Sequence, residues 1–142
     1  MAADMRAPAR ADYMSGMASL AGSVKGAQPM FRAADMRATV EWYAALGFTV
    51  ADQYEDCGEL RFARVSFGGG SFTLSADATG GPRDVSLWFF TTQVEELYTL
   101  LKNRPDLTFA EQLYEPFYGG RQFGIYDPNG LELIFWHPPW LA

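Results

Sequence analysis

Residues Gly119 to Trp136 read GGRQFGIYDPNGLELIFW, and this stretch decides the fold. Two apolar runs, Gln122–Tyr126 and Leu131–Trp136, flank the tetrapeptide Asp127-Pro128-Asn129-Gly130. The pattern predicts a β-hairpin. Asp127 can accept from backbone N–H groups ahead of it, and Pro128 fixes φ at the first turn position. Asn129 tolerates tight backbone angles, and Gly130 supplies a positive φ.

Asp-Pro-Asn-Gly turns occur in many β proteins, so the turn alone names no function. The wider string is more specific. An aromatic-Gly-Gly-Arg approach, a strand, Asp-Pro-x-Gly and a strand ending in aromatics resembles the closing hairpin of the vicinal oxygen chelate superfamily. That superfamily includes glyoxalase I, extradiol dioxygenases, fosfomycin-resistance enzymes and bleomycin-resistance proteins. The resemblance implies an α+β chain of two βαβββ modules forming a cupped mixed sheet, the glyoxalase/bleomycin resistance fold.

The rest of the chain agrees with that expectation. Its 142 residues suit one domain with a real core. Eleven basic against seventeen acidic residues give a net charge of −6, which argues against a nucleic-acid partner. The one cysteine, Cys57, has no intramolecular disulfide partner, and its acidic neighbours Glu55, Asp56 and Glu59 argue against a nucleophilic role. No apolar run approaches the ~20 residues of a membrane span, and residues 1–27 lack a secretory pattern. These features predict a cytoplasmic protein without a membrane partner.

In chain order, residues 1–27 read as a flexible N-terminal arm in which Asp12–Leu20 could form a short helix. A domain over 28–142 follows, with modules at about 28–78 and 83–137. Gln28–Ala34 reads as a strand. Asp35 caps a helix over Met36–Leu46, with Val40, Tyr43, Ala44 and Gly47 on one face and Gly47 as its left-handed stop. The run DMRATVEWYAALGFTV resembles the superfamily's first helix and the Gly-Phe after it. Strands are predicted at Phe48–Tyr54, Leu60–Phe67 and Ser71–Ser75, with a loop over Glu55–Glu59 and a turn at Gly68–Gly70.

After a linker over Asp77–Arg83 the pattern restarts. Val85–Thr91 reads as a strand, Thr92 with Glu95 as a capping box, and Val94, Leu97, Tyr98 and Leu101 as a helical stripe. Leu107–Leu113 is the strand before the closing hairpin. Arg61–Ser75 and Arg121–Phe135 align as RFARVSFGGGSFTLS against RQFGIYDPNGLELIF. The order of elements is therefore duplicated, as the resemblance implies.

In metal-using members of the superfamily, four strands present N and O donors. Carrying those positions over one at a time places them on Gln28, Thr73, Ser86 and Ile134. Glutamine is an accepted ligand at the first position, but Ser and Thr hydroxyls are weak donors and Ile134 has none. This set is degenerate, so no metal and no cofactor are expected. A shifted site using Gln28 and Glu132 is the alternative. With His137 as the only histidine, a two-His-one-carboxylate iron site is excluded.

If Ser86 faces the cup, period-2 alternation brings Trp88 and Phe90 there, with Val85, Leu87 and Phe89 facing the helix. The last strand presents Glu132, Ile134 and Trp136 in the same way. Nearby loops hold Tyr54, Tyr114, Phe117 and Tyr118, and Arg121 could reach an anionic group. Such a cleft stacks planar or cationic heteroaromatic molecules.

SLWFFTTQVEELYTLL and the Gly120-Arg121, Phe123 and Asp127-Pro128 approach resemble the bleomycin-resistance proteins. Those are homodimers that sequester a drug in interfacial clefts without catalysis. The expected function is therefore binding of a small molecule, antibiotics included, by a homodimer, with no catalytic residues. The expected ligand contacts are Trp88, Phe90, Ser86, Tyr54, Phe117, Tyr118, Arg121, Glu132 and Trp136. Two alternatives stay open: a metal-dependent glyoxalase-like lyase, isomerase or transferase using the shifted site, and a partner-binding scaffold.

Overall fold

The computed structural model describes residues 7–79 and 84–142. Helix α1 (Ala7–Ala21) comes first; it contains the predicted Asp12–Leu20 segment and is exposed from Ala9 onward. The first six residues of the predicted arm, and residues 80–83 of the predicted linker, lie outside the described residues.

Two modules follow. The first comprises β1 (Met30–Ala33), α2 (Met36–Leu46), β2 (Thr49–Asp56), β3 (Glu59–Phe67) and β4 (Gly70–Ala76). The second comprises β5 (Ser86–Phe90), α3 (Val94–Leu101), β6 (Thr108–Tyr114), β7 (Arg121–Tyr126) and β8 (Glu132–His137). Each forms a four-stranded mixed sheet, ordered β1-β4-β3-β2 and β5-β8-β7-β6. The parallel pairs are β1 with β4 and β5 with β8. The architecture is α+β, two βαβββ modules, as the sequence predicts. It consists of two separate sheets, with β1 and β5 at an open edge of each.

Local chemistry explains the boundaries. The Asp35 side chain accepts from the Ala38 N–H at 3.0 Å and starts α2, and Gly47, at φ 110°, ends it. The loop expected over Glu55–Glu59 is instead a tight hairpin. Cys57 and Gly58 both have positive φ (52° and 76°), which closes a two-residue turn and leaves the acidic residues in β2 and β3. The capping box expected from Thr92 and Glu95 is absent. Thr91 Oγ1 accepts from the Gln93 N–H instead, and Glu95 is drawn to Arg121 at 2.5 Å. β1 starts at Met30, so Gln28 precedes the strand it was expected to begin.

One core joins the modules through the helix-facing side of each sheet. Phe89, Phe135 and Phe123 form a continuous stack with successive centroids 5.2 Å apart. Phe48 stacks on Phe67 at 4.7 Å and meets Phe89 edge-on at 5.6 Å, carrying the contact from the first module into the second. Gly70 permits this approach, because a Cβ there would lie 2.8 Å from the Phe89 ring.

The Asp127–Gly130 turn adds a polar latch. Asp127 Oδ1 accepts the N–H groups of Asn129 (2.7 Å) and Leu131 (2.9 Å), and Oδ2 accepts the Tyr43 hydroxyl of α2 at 2.7 Å. Asn129 donates to Thr39 Oγ1 and accepts from the Ala34 N–H. The turn that sets the last hairpin therefore also docks it on α2. Among the described residues, no helix is long and apolar enough to cross a membrane.

Candidate functional site

The face of the second sheet away from its helix is built in rows fixed by strand register. Ser86, Glu132, Tyr126 and Thr108 pair across the four strands. The next row is Trp88, Ile134, Gly124 and Glu111, and the third is Phe90, Trp136, Gln122 and Tyr114. Alternation sends Phe89, Phe123 and Phe135 to the core and these residues to the open side. Ile134 is 6% exposed and forms part of the floor, whereas Trp88 and Phe90 are 38% and 57% exposed.

Trp136 organises the aromatic part. Its indole N–H donates to the Gly119 carbonyl at 3.0 Å, which fixes the ring. Trp88 and Tyr118 meet it nearly perpendicular, each at 5.5 Å, and Phe90 meets it at 5.9 Å. Such edge-to-face contacts add to area burial by about 0.5–1.5 kcal/mol per pair. At one end of the face, Ser86 Oγ donates to Glu132 Oε1 at 3.0 Å.

Beside Trp136 runs a polar chain. Tyr118 donates to Gln122 Oε1, and Gln122 Nε2 donates to the Tyr114 hydroxyl at 3.1 Å and faces Glu111 Oε2 at 3.5 Å. Gln122 is 2% exposed, so both ends of its amide are committed. Hydrogen bonding to the Glu111 carboxylate, then desolvation and its negative charge, raises the Tyr114 pKa. The phenol stays neutral and can serve as a donor.

The predicted contacts divide as follows. Ser86, Trp88, Phe90, Glu132 and Trp136 share one face, with Tyr118 against Trp88 and Trp136. Phe117 is fully exposed next to Tyr118. Tyr54 and Tyr114 lie within strands, not loops, and Tyr54 belongs to the first sheet, opposite Phe62. Arg121 is a correction. It shares parity with Phe123 and Ile125, so it points to the helix side and pairs with Glu95 of α3. His137, one residue past the predicted strand Leu131–Trp136, is the final residue of β8. Gln122, Glu111 and the Tyr114 hydroxyl were not anticipated as a network; the parity of Gln122 with Trp136 was the available signal.

The carried-over metal positions have poor donor chemistry. Gln28 Nε2 donates to Ser71 Oγ at 2.6 Å, Thr73 Oγ1 donates to the Pro29 carbonyl, and Ser86 is engaged with Glu132. Ile134 offers no donor atom, so this set does not fit a divalent ion. Gln28 lies against the first sheet and Glu132 in the second, and Glu132 is bonded to Ser86. Among the described residues, no three His, Cys, Asp or Glu side chains are grouped as a metal site requires.

A sequence profile of the Glyoxalase/Bleomycin resistance protein/Dioxygenase superfamily matches residues 27–135. The chain belongs to this superfamily. No protein of curated function matches it in sequence. The superfamily fold is shared with the bleomycin-binding protein of bleomycin-producing Streptomyces verticillus, solved with copper(II)-bleomycin. The two are 25% identical over 80% of this chain and 96% of that one, with a TM-score of 0.58. TioX from Micromonospora sp. ML1 is 19% identical over 79% and 98% of the two chains, at a TM-score of 0.63. A glyoxalase-related enzyme from Clostridium phytofermentans is 18% identical over 81% and 95%, at 0.66. This superfamily member therefore shares its fold with both a bleomycin-binding protein and a glyoxalase-related enzyme.

Proposed function

We propose that this superfamily member binds a small molecule, of antibiotic type, by sequestration on the open face of its second sheet. The observation that carries the reading is the cluster of exposed Trp88 and Phe90 around half-buried Trp136, set on a buried floor and flanked by Glu132 and Glu111. Stacking on such rings suits planar ring systems, and the carboxylates suit cationic substituents. The fold shared with a bleomycin-binding protein supports the same class of ligand.

The binding unit is a homodimer. In a single chain, β1 and β5 leave strand edges unpaired, and Met30 and Tyr54 of the first sheet are more than half exposed. A second copy that pairs these edges would cover them. With the donor set described above, no step through a metal is assigned.

Bleomycin, titrated against the purified protein and followed by tryptophan fluorescence, tests the reading. Saturable binding is expected, and Trp88→Ala should weaken it roughly tenfold, the loss of one stacking contact of about 1–3 kcal/mol. Absence of binding by bleomycin and other planar cationic drugs, with the protein folded and dimeric, would refute it.

A further inference from the structure

The segment after β8, Pro138–Ala142, lies beyond residue 135, where the superfamily match ends. It is nevertheless firmly placed. Pro138 is fully buried. The Leu141 N–H donates to the Pro138 carbonyl at 3.2 Å and closes a turn with Trp140 near its tip. The His137 ring meets the Leu141 carbonyl from Nε2 at 3.0 Å, which makes that nitrogen the donor. On the other side, Pro139 of the segment packs against Gly119, while Gly120 packs against the end of β8. A Cβ at Gly119 would lie 2.9 Å from Pro139 Cγ, and one at Gly120 would collide with the His137 carbonyl. Gly119 has a positive φ, 94°, so the loop before β7 is shaped at this point to receive Pro139 of the turn.

What these restraints hold in place is an indole that remains 66% exposed. The Trp140 ring lies 5.7 Å from Phe90 and 6.2 Å from Trp136, nearly perpendicular to both. It continues the aromatic row past the end of β5. Trp88 and Phe90 are two residues apart on that strand, a rise of about 7 Å, and Trp140 extends the row further. A single ring cannot span it. Two or more fused or linked rings can.

Resting on the binding reading above, we propose that Trp140 is a ligand-contacting, specificity-determining residue of this face. It extends the site so that elongated planar ring systems are preferred over single rings.

The test compares acridine, three fused rings, with pyridine, one ring of the same heteroatom chemistry. The indole N–H resonances of nitrogen-15-labelled protein are assigned by single Trp→Phe substitutions and followed during titration. Acridine should shift Trp88 and Trp140 saturably, and Trp140→Ala should weaken its binding about tenfold. The same substitution should alter pyridine binding by less than about twofold. Because Trp140 is exposed, the variant should keep its fold, which circular dichroism checks. If acridine still shifts Trp88 with unchanged affinity in Trp140→Ala, or if pyridine binding falls equally, the proposal is wrong while the binding reading stands. If acridine shifts neither Trp88 nor Trp136 in the parent protein, both fall.

Discussion

Replacing Asp127 should separate the latch from the turn that contains it. Its carboxylate serves three donors: the Asn129 and Leu131 N–H groups and the Tyr43 hydroxyl. Tyr43 and Leu131 are 0% and 2% exposed, so water cannot replace the lost acceptor at either. Each orphaned buried donor costs about 1–3 kcal/mol. Burial also raises the Asp127 pKa, so the native carboxylate is itself destabilised and its removal returns part of the loss. Asp127→Ala should therefore cost about 2–4 kcal/mol at neutral pH. Asp127→Asn keeps one acceptor oxygen and removes the buried charge, so it should cost about 1 kcal/mol or less.

The pH dependence gives a sharper test. The folded pKa lies above the ordinary 3.8 because desolvation outweighs the hydrogen bonds from Tyr43, Leu131 and Asn129. The native state therefore binds this proton more tightly than the unfolded chain does. The stability linked to it is complete below 3.8 and is lost as pH rises through the folded value. Tyr43→Phe removes a bond that lowers the pKa, so the folded value climbs further. Its penalty should be larger at pH 7 than near pH 4. Urea unfolding of parent, Asp127→Ala, Asp127→Asn and Tyr43→Phe at both pH values provides the measurement. Equal losses for Ala and Asn, or a Tyr43→Phe penalty that does not shrink in acid, would refute the latch.

Gly70→Ala would push a Cβ to 2.8 Å from the Phe89 ring, which Phe135 and Phe48 back; a loss of about 1–3 kcal/mol in urea unfolding is expected. Arg121→Ala should cost under about 1 kcal/mol, the range of exposed ion pairs, and leave bleomycin affinity unchanged, because the side chain points toward α3. Light scattering should give a mass twice the 15.8 kDa of one chain, and a monomer at working concentration would contradict the dimer. Glu132→Gln should weaken a cationic drug more at low salt than at high salt, which titration across ionic strength checks.

The fold was legible because its signals are local. The Asp-Pro-Asn-Gly turn, the Asp35 cap and the Gly47 stop each act within a few residues, and each appears where the sequence puts it. Alternation in Ser86–Phe90 likewise separates Phe89, which is buried, from Trp88 and Phe90, which are not. Errors arose where a distant partner decided the outcome. Glu95 fits a capping box by spacing but pairs with Arg121, twenty-six residues away. Cys57-Gly58 is a miss of another kind, a local tight turn set by two positive φ angles in a charged stretch that composition marks as loop. Arg121 could have been placed by the same parity that placed Trp88, since it alternates with Gln122. Trp140 carries no such signal, because nothing in residues 138–142 shows that the turn folds back on Phe90.

The kinds of aromatic residue on the two sides of the second sheet argue for a binding face. The side packed on helix and core uses phenylalanine: Phe89, Phe123 and Phe135. The open side uses tryptophan and tyrosine: Trp88, Trp136, Tyr114, Tyr118 and Tyr126. Trp and Tyr keep a polar atom for water or a partner, so partial exposure costs them less, and the hydroxyls of Tyr114 and Tyr118 and the Trp136 indole are in fact bonded. Phe90 breaks the rule. It has no polar atom and is 57% exposed, beside the still more open Trp140. A sheet designed only to face water would place a polar residue there. The apolar corner made by Phe90, Trp136 and Trp140 is therefore the part of this face with most to gain from being covered, and ligand contact should be sought there first.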